Sequence, residues 1–153
     1  MIKLSLKTIA MAVAALFGSL FMGGAALADP GGYFIITNNA KVKVDLTYES
    51  YTQAYSRNFQ PNIPAKTVSS ANWAYAAPGT LSFIGSTVWQ DASRQNGCQF
   101  ITLVSYSSYT GRYSFTFTAT KQGGAKNKAV CTITAARNSS TGEFTAYPVI
   151  GGF

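Results

Sequence analysis

The chain has 153 residues, with 12 Lys and Arg against five Asp and Glu, and it contains no histidine. The lack of histidine excludes Ser-His-Asp and Cys-His catalysis and removes the commonest metal ligand. With so few carboxylates for acid–base chemistry, the composition favours a non-enzymatic protein with no catalytic residues, no metal and no cofactor.

Residues 1–28 are predicted to be a secretory signal peptide. Lys3 and Lys7 give a basic start, residues 9–22 are mostly apolar, and Ala26-Leu27-Ala28 fits a cleavage site. The apolar run is shorter than the ~20 residues that span a bilayer, which favours cleavage over a membrane anchor. We therefore expect an extracellular or periplasmic protein whose mature part, residues 29–153, is a single domain.

The mature part keeps ten Lys and Arg against five Asp and Glu, a net charge of +5. Such a balance favours an anionic partner, although a modest positive charge can also serve solubility alone.

The first half of the mature chain alternates between apolar and polar residues. Residues 33–37 predict a short strand, followed by a turn at Asn38-Asn39. In residues 41–49 one predicted face is apolar and consists of Val42, Val44, Leu46 and Tyr48. Prolines on both sides exclude residues 62–63 from a central strand, and residues 65–76 form a weaker strand region.

Two segments share the pattern Y-x-S-Y-T-x-x-Y-S-x-x-F, residues 48–59 and residues 106–117. The pattern is either a duplicated module with two tyrosine surfaces or a coincidence in a chain rich in Ser, Thr and Tyr. The match stops at Phe59, whereas true repeats persist over a whole unit. The second copy predicts a hairpin with Thr110-Gly111 at its tip and a strand from Arg112.

The second half predicts further strands. In residues 80–89 we expect Leu81, Phe83 and Ile84 to point inward. Residues 98–104 are almost continuously apolar, which is typical of a strand covered on both faces. Residues 112–120 alternate again, with an inward face of Tyr113, Phe115, Phe117 and Ala119. Residues 129–136 and 143–150 complete the set.

No stretch of the mature chain shows sustained helical periodicity. The fold class is therefore predicted to be all-β: an antiparallel sandwich, or a small partly closed barrel, of about eight or nine short strands. Cys98 and Cys131 are the only cysteines, and in an exported chain they predict one disulfide between neighbouring or facing strands.

Candidate ligand-binding residues are basic or aromatic. Around one predicted hairpin the chain places Lys121, Lys126, Lys128 and Arg137, either as an anion site or as a solvated loop. The indoles of Trp73 and Trp89 lie near strand ends, where they could insert into a surface or fill the core. Asp45 and Glu49 are predicted on one face about 13 Å apart, too far for glycosidase catalysis, and Asp91 and Glu143 could meet in space.

Residues 33–39, the alternating strand after them, and Ile63-Pro64 resemble the aegerolysins, which are small β-sandwich proteins that bind membrane lipids. The likeness covers the first quarter of the mature chain. Aegerolysins are usually acidic and this chain is basic, so no residue roles are carried over.

The leading hypothesis is a secreted, non-enzymatic β-sandwich that binds an anionic surface, either membrane lipid or glycan. A secreted inhibitor or adhesion module with a protein partner is the alternative. A small outer-membrane barrel is the second alternative, since the chain ends in Phe153, although Pro148 and Gly151-Gly152 interrupt the last strand. Nucleic acid is not an expected partner.

Overall fold

The computed structural model describes residues 29–70 and 72–153, so the predicted signal peptide lies outside the described residues. The described chain forms strands connected by turns, namely β1 (Gly31–Phe34), β2 (Thr37–Asn38), β3 (Val44–Thr52), β4 (Ala54–Asn58), β5 (Asn62–Ile63), β6 (Thr67–Val68), β7 (Asn72–Ala76), β8 (Ser82–Gln90), β9 (Gly97–Ser107), β10 (Arg112–Lys121), β11 (Val130–Arg137) and β12 (Glu143–Gly151). This part of the chain contains no helix long and apolar enough to cross a membrane.

The strands form two separate sheets. Sheet A has the order β4-β7-β1-β12-β2-β6, and β11 also pairs with β12. Sheet B has the order β10-β9-β8-β3-β5. The two sheets pack as a β-sandwich, which confirms the predicted all-β class and selects the sandwich over the partly closed barrel. The sheets were predicted to be antiparallel, but in sheet A β1 and β2 pair parallel to β12. The predicted strand number was too low, because β4 and the two-residue strands β2, β5 and β6 carry weak sequence patterns.

The core lies between the sheets and is rich in aromatic rings. Phe34 and Phe144 of sheet A face Phe83, Trp89 and Phe100 of sheet B. Burying each such side chain stabilises the fold by roughly 1.5–3 kcal/mol. The inward face predicted for β10 is confirmed by packing against this core, with Tyr113, Phe115, Phe117 and Ala119 all contributing.

The predicted face of β3 is wrong beyond Leu46. The register between β3 and β8 shifts between Leu46 and Tyr48, so Thr47 is an extra residue whose hydroxyl is 2.8 Å from Oε1 of Gln90. Such a bulge inverts the parity of the residues that follow it. Tyr48 is consequently 53% exposed, and Tyr51 packs inward instead. Val42 is also exposed because it precedes the strand.

Sheet B is covered on one face only, which corrects two further expectations. β9 alternates between buried and accessible residues, and Leu103 is exposed rather than covered. On β8 the inward residue is Phe83, while Ile84 faces solvent; Leu81 lies before the strand and is exposed. The near-continuous apolar run of β9 therefore belongs half to the core and half to the surface.

The two tyrosine segments have different structural roles. The second copy forms the predicted β9–β10 hairpin, with Gly111 at φ 65° in its turn, whereas the first copy crosses from β3 in sheet B to β4 in sheet A. Tyr51 packs against the core but the matching Tyr109 is 97% exposed. Tyr55 is exposed but the matching Tyr113 is 4% exposed. The shared pattern does not produce a structural repeat.

The predicted disulfide is present and joins the two sheets. Cys98 on β9 is bonded to Cys131 on β11, with 5.7 Å between their Cα atoms. The chain-entropy estimate for closing such a loop is a stabilisation of roughly 3–4 kcal/mol. A structural disulfide is typical of proteins in oxidising compartments outside the cytosol.

Candidate functional site

Positive side chains collect at one end of the sandwich. At this end β3, β9 and β11 begin and β8, β10 and β12 finish, as the pairs Asp45–Gln90, Lys121–Cys98 and Val130–Gly151 show. We call this end, with its loops, the basic end. All of its cationic side chains are exposed, namely Lys41, Lys43, Lys66, Arg94, Lys121, Lys126 and Lys128.

Only two of the described carboxylates, Asp45 and Asp91, share the basic end. The remaining charged side chains are three cations and three anions, which balance each other, and they are Arg57, Arg112, Arg137, Asp29, Glu49 and Glu143. The whole net side-chain charge of residues 29–153, which is +5, is therefore concentrated at one end of the sandwich.

Hydrogen bonds hold the loops of the basic end against each other. The backbone N–H of Lys128 donates to the Asn96 side chain at 2.9 Å, and that of Gly124 donates to the Gln95 carbonyl at 3.0 Å. The ammonium of Lys66 donates to the Asn39 carbonyl. These bonds join the β10–β11 loop to the β8–β9 turn, and the turn at Lys66 to the segment after β2, although the joined residues are far apart in the sequence.

Asp91 organises the turn between β8 and β9. Its carboxylate accepts hydrogen bonds from the Ser93 hydroxyl, the Gln95 backbone N–H and the Asn96 amide. Partial burial raises the pKa of Asp91, but the hydrogen bonds, led by that from Asn96, outweigh it and hold the pKa below its usual value. The Asp91 carboxylate therefore stabilises this turn.

The four basic residues predicted from the sequence do not form one cluster. Lys121, Lys126 and Lys128 lie at the basic end, whereas Arg137 lies at the opposite end of β11. A strand of this length separates its ends by about 23 Å. The prediction relied on closeness in the sequence, but Lys128 precedes β11 and Arg137 ends it, so the length of the strand separates them.

A cavity of about 420 Å³ opens on the outer face of sheet A, near the end opposite the basic end. We call it the Tyr33–Tyr75 cavity. Its aromatic walls are Tyr33 on β1 and Tyr75 on β7, whose ring centroids are 6.1 Å apart at 86°. Polar groups come from β12 and from the end of β11, namely Arg137, Asn138 and Glu143.

Glycine is required beside these rings. A Cβ atom on Gly31 would lie 2.2 Å from Cδ1 of Tyr75, so the Tyr75 ring rests directly on the β1 backbone. Burial, a hydrogen bond with Tyr33 and the charge of Glu143 raise the pKa of Tyr75 to about 12. The phenol is therefore neutral at physiological pH.

The two tryptophans have different positions. Trp73 pairs with Tyr33 across the β1–β7 ladder, and its ring lies 6.3 Å from that of Tyr75, which lines the cavity. Trp89 is 0% exposed, and its Nε1 has no hydrogen-bond partner among the described residues. Because Trp89 is a core residue, it cannot contact a surface ligand and is removed from the candidates.

Neither of the two carboxylate pairs considered from the sequence is brought together by the fold. Asp91 lies at the basic end and Glu143 at the opposite end, so the two do not meet. Asp45 and Glu49 lie on opposite faces because the bulge in β3 separates them. Within residues 29–70 and 72–153, no three His, Cys, Asp or Glu side chains are close enough to hold a metal ion.

Comparison with known proteins shows the fold only. No family model matches the sequence, and no curated protein is similar to it. The structure is similar to that of IP-1A from Alcaligenes faecalis, with a TM-score of 0.50 and 10% identity, covering 83% of this chain and 93% of that chain. The crystal structure of the lipid binding protein Nakanori gives a TM-score of 0.48 and 8% identity, covering 95% of this chain and 78% of that chain.

Most residues of both surfaces are not predicted by the sequence pattern. Lys41, Lys43, Lys66 and Arg94 are isolated from Lys121–Lys128 along the chain, and only the topology brings them together. Tyr33 and Tyr75 looked like ordinary strand residues. The alternation of residues along β7 could have identified the aromatic ones on the outer face. Ala74 and Ala76 face the core, so Trp73 and Tyr75 lie on the outer face.

Proposed function

We propose that this protein is a secreted, non-enzymatic binding protein that attaches to an anionic membrane surface through its basic end. The observation that carries the proposal is the concentration of the entire side-chain charge at one end of the sandwich. Each basic residue near an anionic bilayer contributes ~1 kcal/mol, so several together give useful affinity.

The arrangement of the charges favours an extended surface over a small anion. The cations come from separate loops spread across the end, including Lys41, Lys66, Arg94 and Lys126, instead of converging in one cleft. Exposed Val42 lies between Lys41 and Lys43 and adds an apolar contact for the headgroup region. A plane of headgroups can neutralise all of these cations at once.

The experiment is co-sedimentation of the mature protein with vesicles of phosphatidylcholine containing increasing phosphatidylserine. We expect binding only with phosphatidylserine and a steep loss with added salt, because the Debye length falls from about 8 Å at physiological ionic strength to ~3 Å in 1 M salt. Binding to pure phosphatidylcholine with equal affinity would contradict the proposal. Binding to an acidic polysaccharide but to neither vesicle would replace the membrane by a glycan as the partner.

A protein partner is the second candidate, favoured by the outer face of sheet B. Paired Ile84 and Leu103 are exposed at the centre of this face, and Tyr48 is exposed beside a groove of about 220 Å³. Exposed apolar patches often mark protein contacts. A protein that co-purifies stoichiometrically and is lost from an Ile84→Lys, Leu103→Lys variant, but kept when the basic-end lysines are replaced, would favour this candidate.

A further inference from the structure

The Tyr33–Tyr75 cavity lies apart from the basic end. Its volume of about 420 Å³ is within the roughly 300–1,000 Å³ of small-molecule sites. It combines aromatic rings with a few polar groups, the usual composition of a specific pocket.

The aromatic wall is suited to the apolar face of a sugar ring. The Tyr75 ring rests on the backbone at Gly31 and lines the cavity. Tyr33 stands nearly perpendicular to it, at 86°, and forms a side wall. Sugars present C–H groups on one face that pack against such rings, while their hydroxyl groups point to the rim.

The polar rim consists of planar groups that suit pairs of hydroxyl groups. Oδ1 of Asn138 accepts a hydrogen bond from the Ser140 backbone N–H at 3.0 Å, and the Asn138 amide N–H₂ supplies further donors. Oε2 of Glu143 accepts from the Thr141 hydroxyl at 3.1 Å, while Oε1 can accept two further bonds.

Arg137 lies between this cavity and a neighbouring one. The second cavity, of about 390 Å³, is also lined by Arg137, together with Ser114, Phe115 and Ser139. Neither of the two ion pairs recorded among the described residues involves Arg137. The Arg137 guanidinium is planar and lies between the two cavities. It can therefore pair with a ligand carboxylate when the ligand occupies both cavities.

We propose that the Tyr33–Tyr75 cavity and its neighbour bind an acidic oligosaccharide, with a neutral sugar against Tyr75 and the carboxylate of the next sugar on Arg137. The alternative of a membrane lipid headgroup is less suited to this position. β12 runs between the two ends and spans about 26 Å, so attachment through the basic end holds this cavity away from the bilayer. This orientation rests on the proposed function, and the site then faces glycans in the medium.

The test is calorimetric titration with a hyaluronan tetrasaccharide, in which a carboxylated sugar alternates with a neutral one, and with neutral chitotetraose. We expect saturable binding of the hyaluronan fragment and at least about tenfold weaker binding of chitotetraose, since a charge-assisted bidentate pair is lost. Arg137→Gln should weaken binding of the hyaluronan fragment by a similar factor. The fluorescence of Trp73 should report binding, and a Trp73→Phe variant should lose that signal.

The matched control is Arg112→Gln, which removes the same charge at the same end but from a residue that lines neither cavity. The affinity of this variant for the hyaluronan fragment should stay within about twofold of the wild-type value, since exposed charges are largely screened at physiological salt.

Equal weakening by Arg112→Gln, equal binding of both tetrasaccharides, or no binding of either would overturn the proposal. Loss of binding in a Lys126→Gln, Lys128→Gln variant would also overturn it, since the basic end would be the site. Saturable binding of phosphocholine but of neither tetrasaccharide would assign the cavity to a lipid headgroup. None of these results depends on whether the vesicle experiment succeeds.

Discussion

Glu49 on β3 accepts a hydrogen bond from Nε of Arg57 on β4, with 2.6 Å between Oε1 and Nε. The two strands follow each other in the chain but belong to different sheets. The chain crosses at Gln53, which adopts φ 65°, and the ion pair then joins the two sheets again. This contact depends on the bulge at Thr47, because without it Glu49 would face away from sheet A.

The first prediction concerns this pair. Glu49→Gln and Arg57→Gln should each lower the free energy of unfolding slightly, and a double-mutant cycle should give a coupling of about 0.5–1 kcal/mol. The value is modest because both side chains are partly exposed, at 26% and 45%. Urea denaturation of the wild type, the two single variants and the double variant measures this coupling. The control is the same cycle with Lys43→Gln and Asp45→Asn, since Lys43 and Asp45 form an exposed ion pair within one segment. A coupling of zero would show that the bulge, and not the ion pair, fixes the crossing.

The second prediction concerns the core face of β10. Phe117 stacks on Phe115 at 6.3 Å and lies edge-on to Phe144 at 5.2 Å. Phe117→Ala should lower the free energy of unfolding by about 2–4 kcal/mol, since it leaves a cavity beside these rings. The control is Thr118→Ala on the outer face, which should change it by no more than about 0.5 kcal/mol. A larger loss for Thr118→Ala than for Phe117→Ala would mean that the parity of β10 is inverted.

The inward face of β10 could be predicted from the sequence pattern alone. Tyr113, Phe115 and Phe117 alternate without interruption, and the strand has no bulge in its pairing with β9, so parity followed directly from the residues. β3 has an equally clean alternation, but its bulge depends on pairing with β8, which the local pattern does not show. The disulfide was predictable because the chain has only two cysteines. The basic end was not, because its cations meet only through the sheet topology.

The third prediction concerns alkaline pH. Burial and the charge of Glu49 raise the pKa of Tyr51, although Arg57 acts in the opposite direction. The folded protein therefore retains this phenolic proton where the unfolded chain, with a pKa of about 10, loses it. Stability from Tyr51 is fully present below about pH 10 and is lost as the pH rises above it. The pKa of Tyr75, raised to about 12, adds to the same loss.

The urea midpoint should accordingly fall between about pH 9 and about pH 11. Tyr51→Phe removes one of the titrating groups and should flatten this dependence. Tyr109→Phe is the control, because Tyr109 is exposed at the hairpin tip. An identical pH dependence in wild type and Tyr51→Phe would refute the assignment of Tyr51 as a buried phenol.

The last prediction separates the two ends of the molecule by matched charge removal. Lys126→Gln with Lys128→Gln removes two positive charges from the basic end, and Arg112→Gln with Arg137→Gln removes two from the opposite end. At ~1 kcal/mol for each cation near an anionic bilayer, the lysine variant should bind phosphatidylserine vesicles about 30-fold more weakly. The arginine variant should bind nearly as well as wild type, because its positions are more than a Debye length from a bilayer that contacts the basic end. Equal losses in the two variants would show that net charge alone drives binding, with no preferred orientation. The opposite order would place the bilayer at the Tyr33–Tyr75 cavity and remove the basic end as the attachment surface.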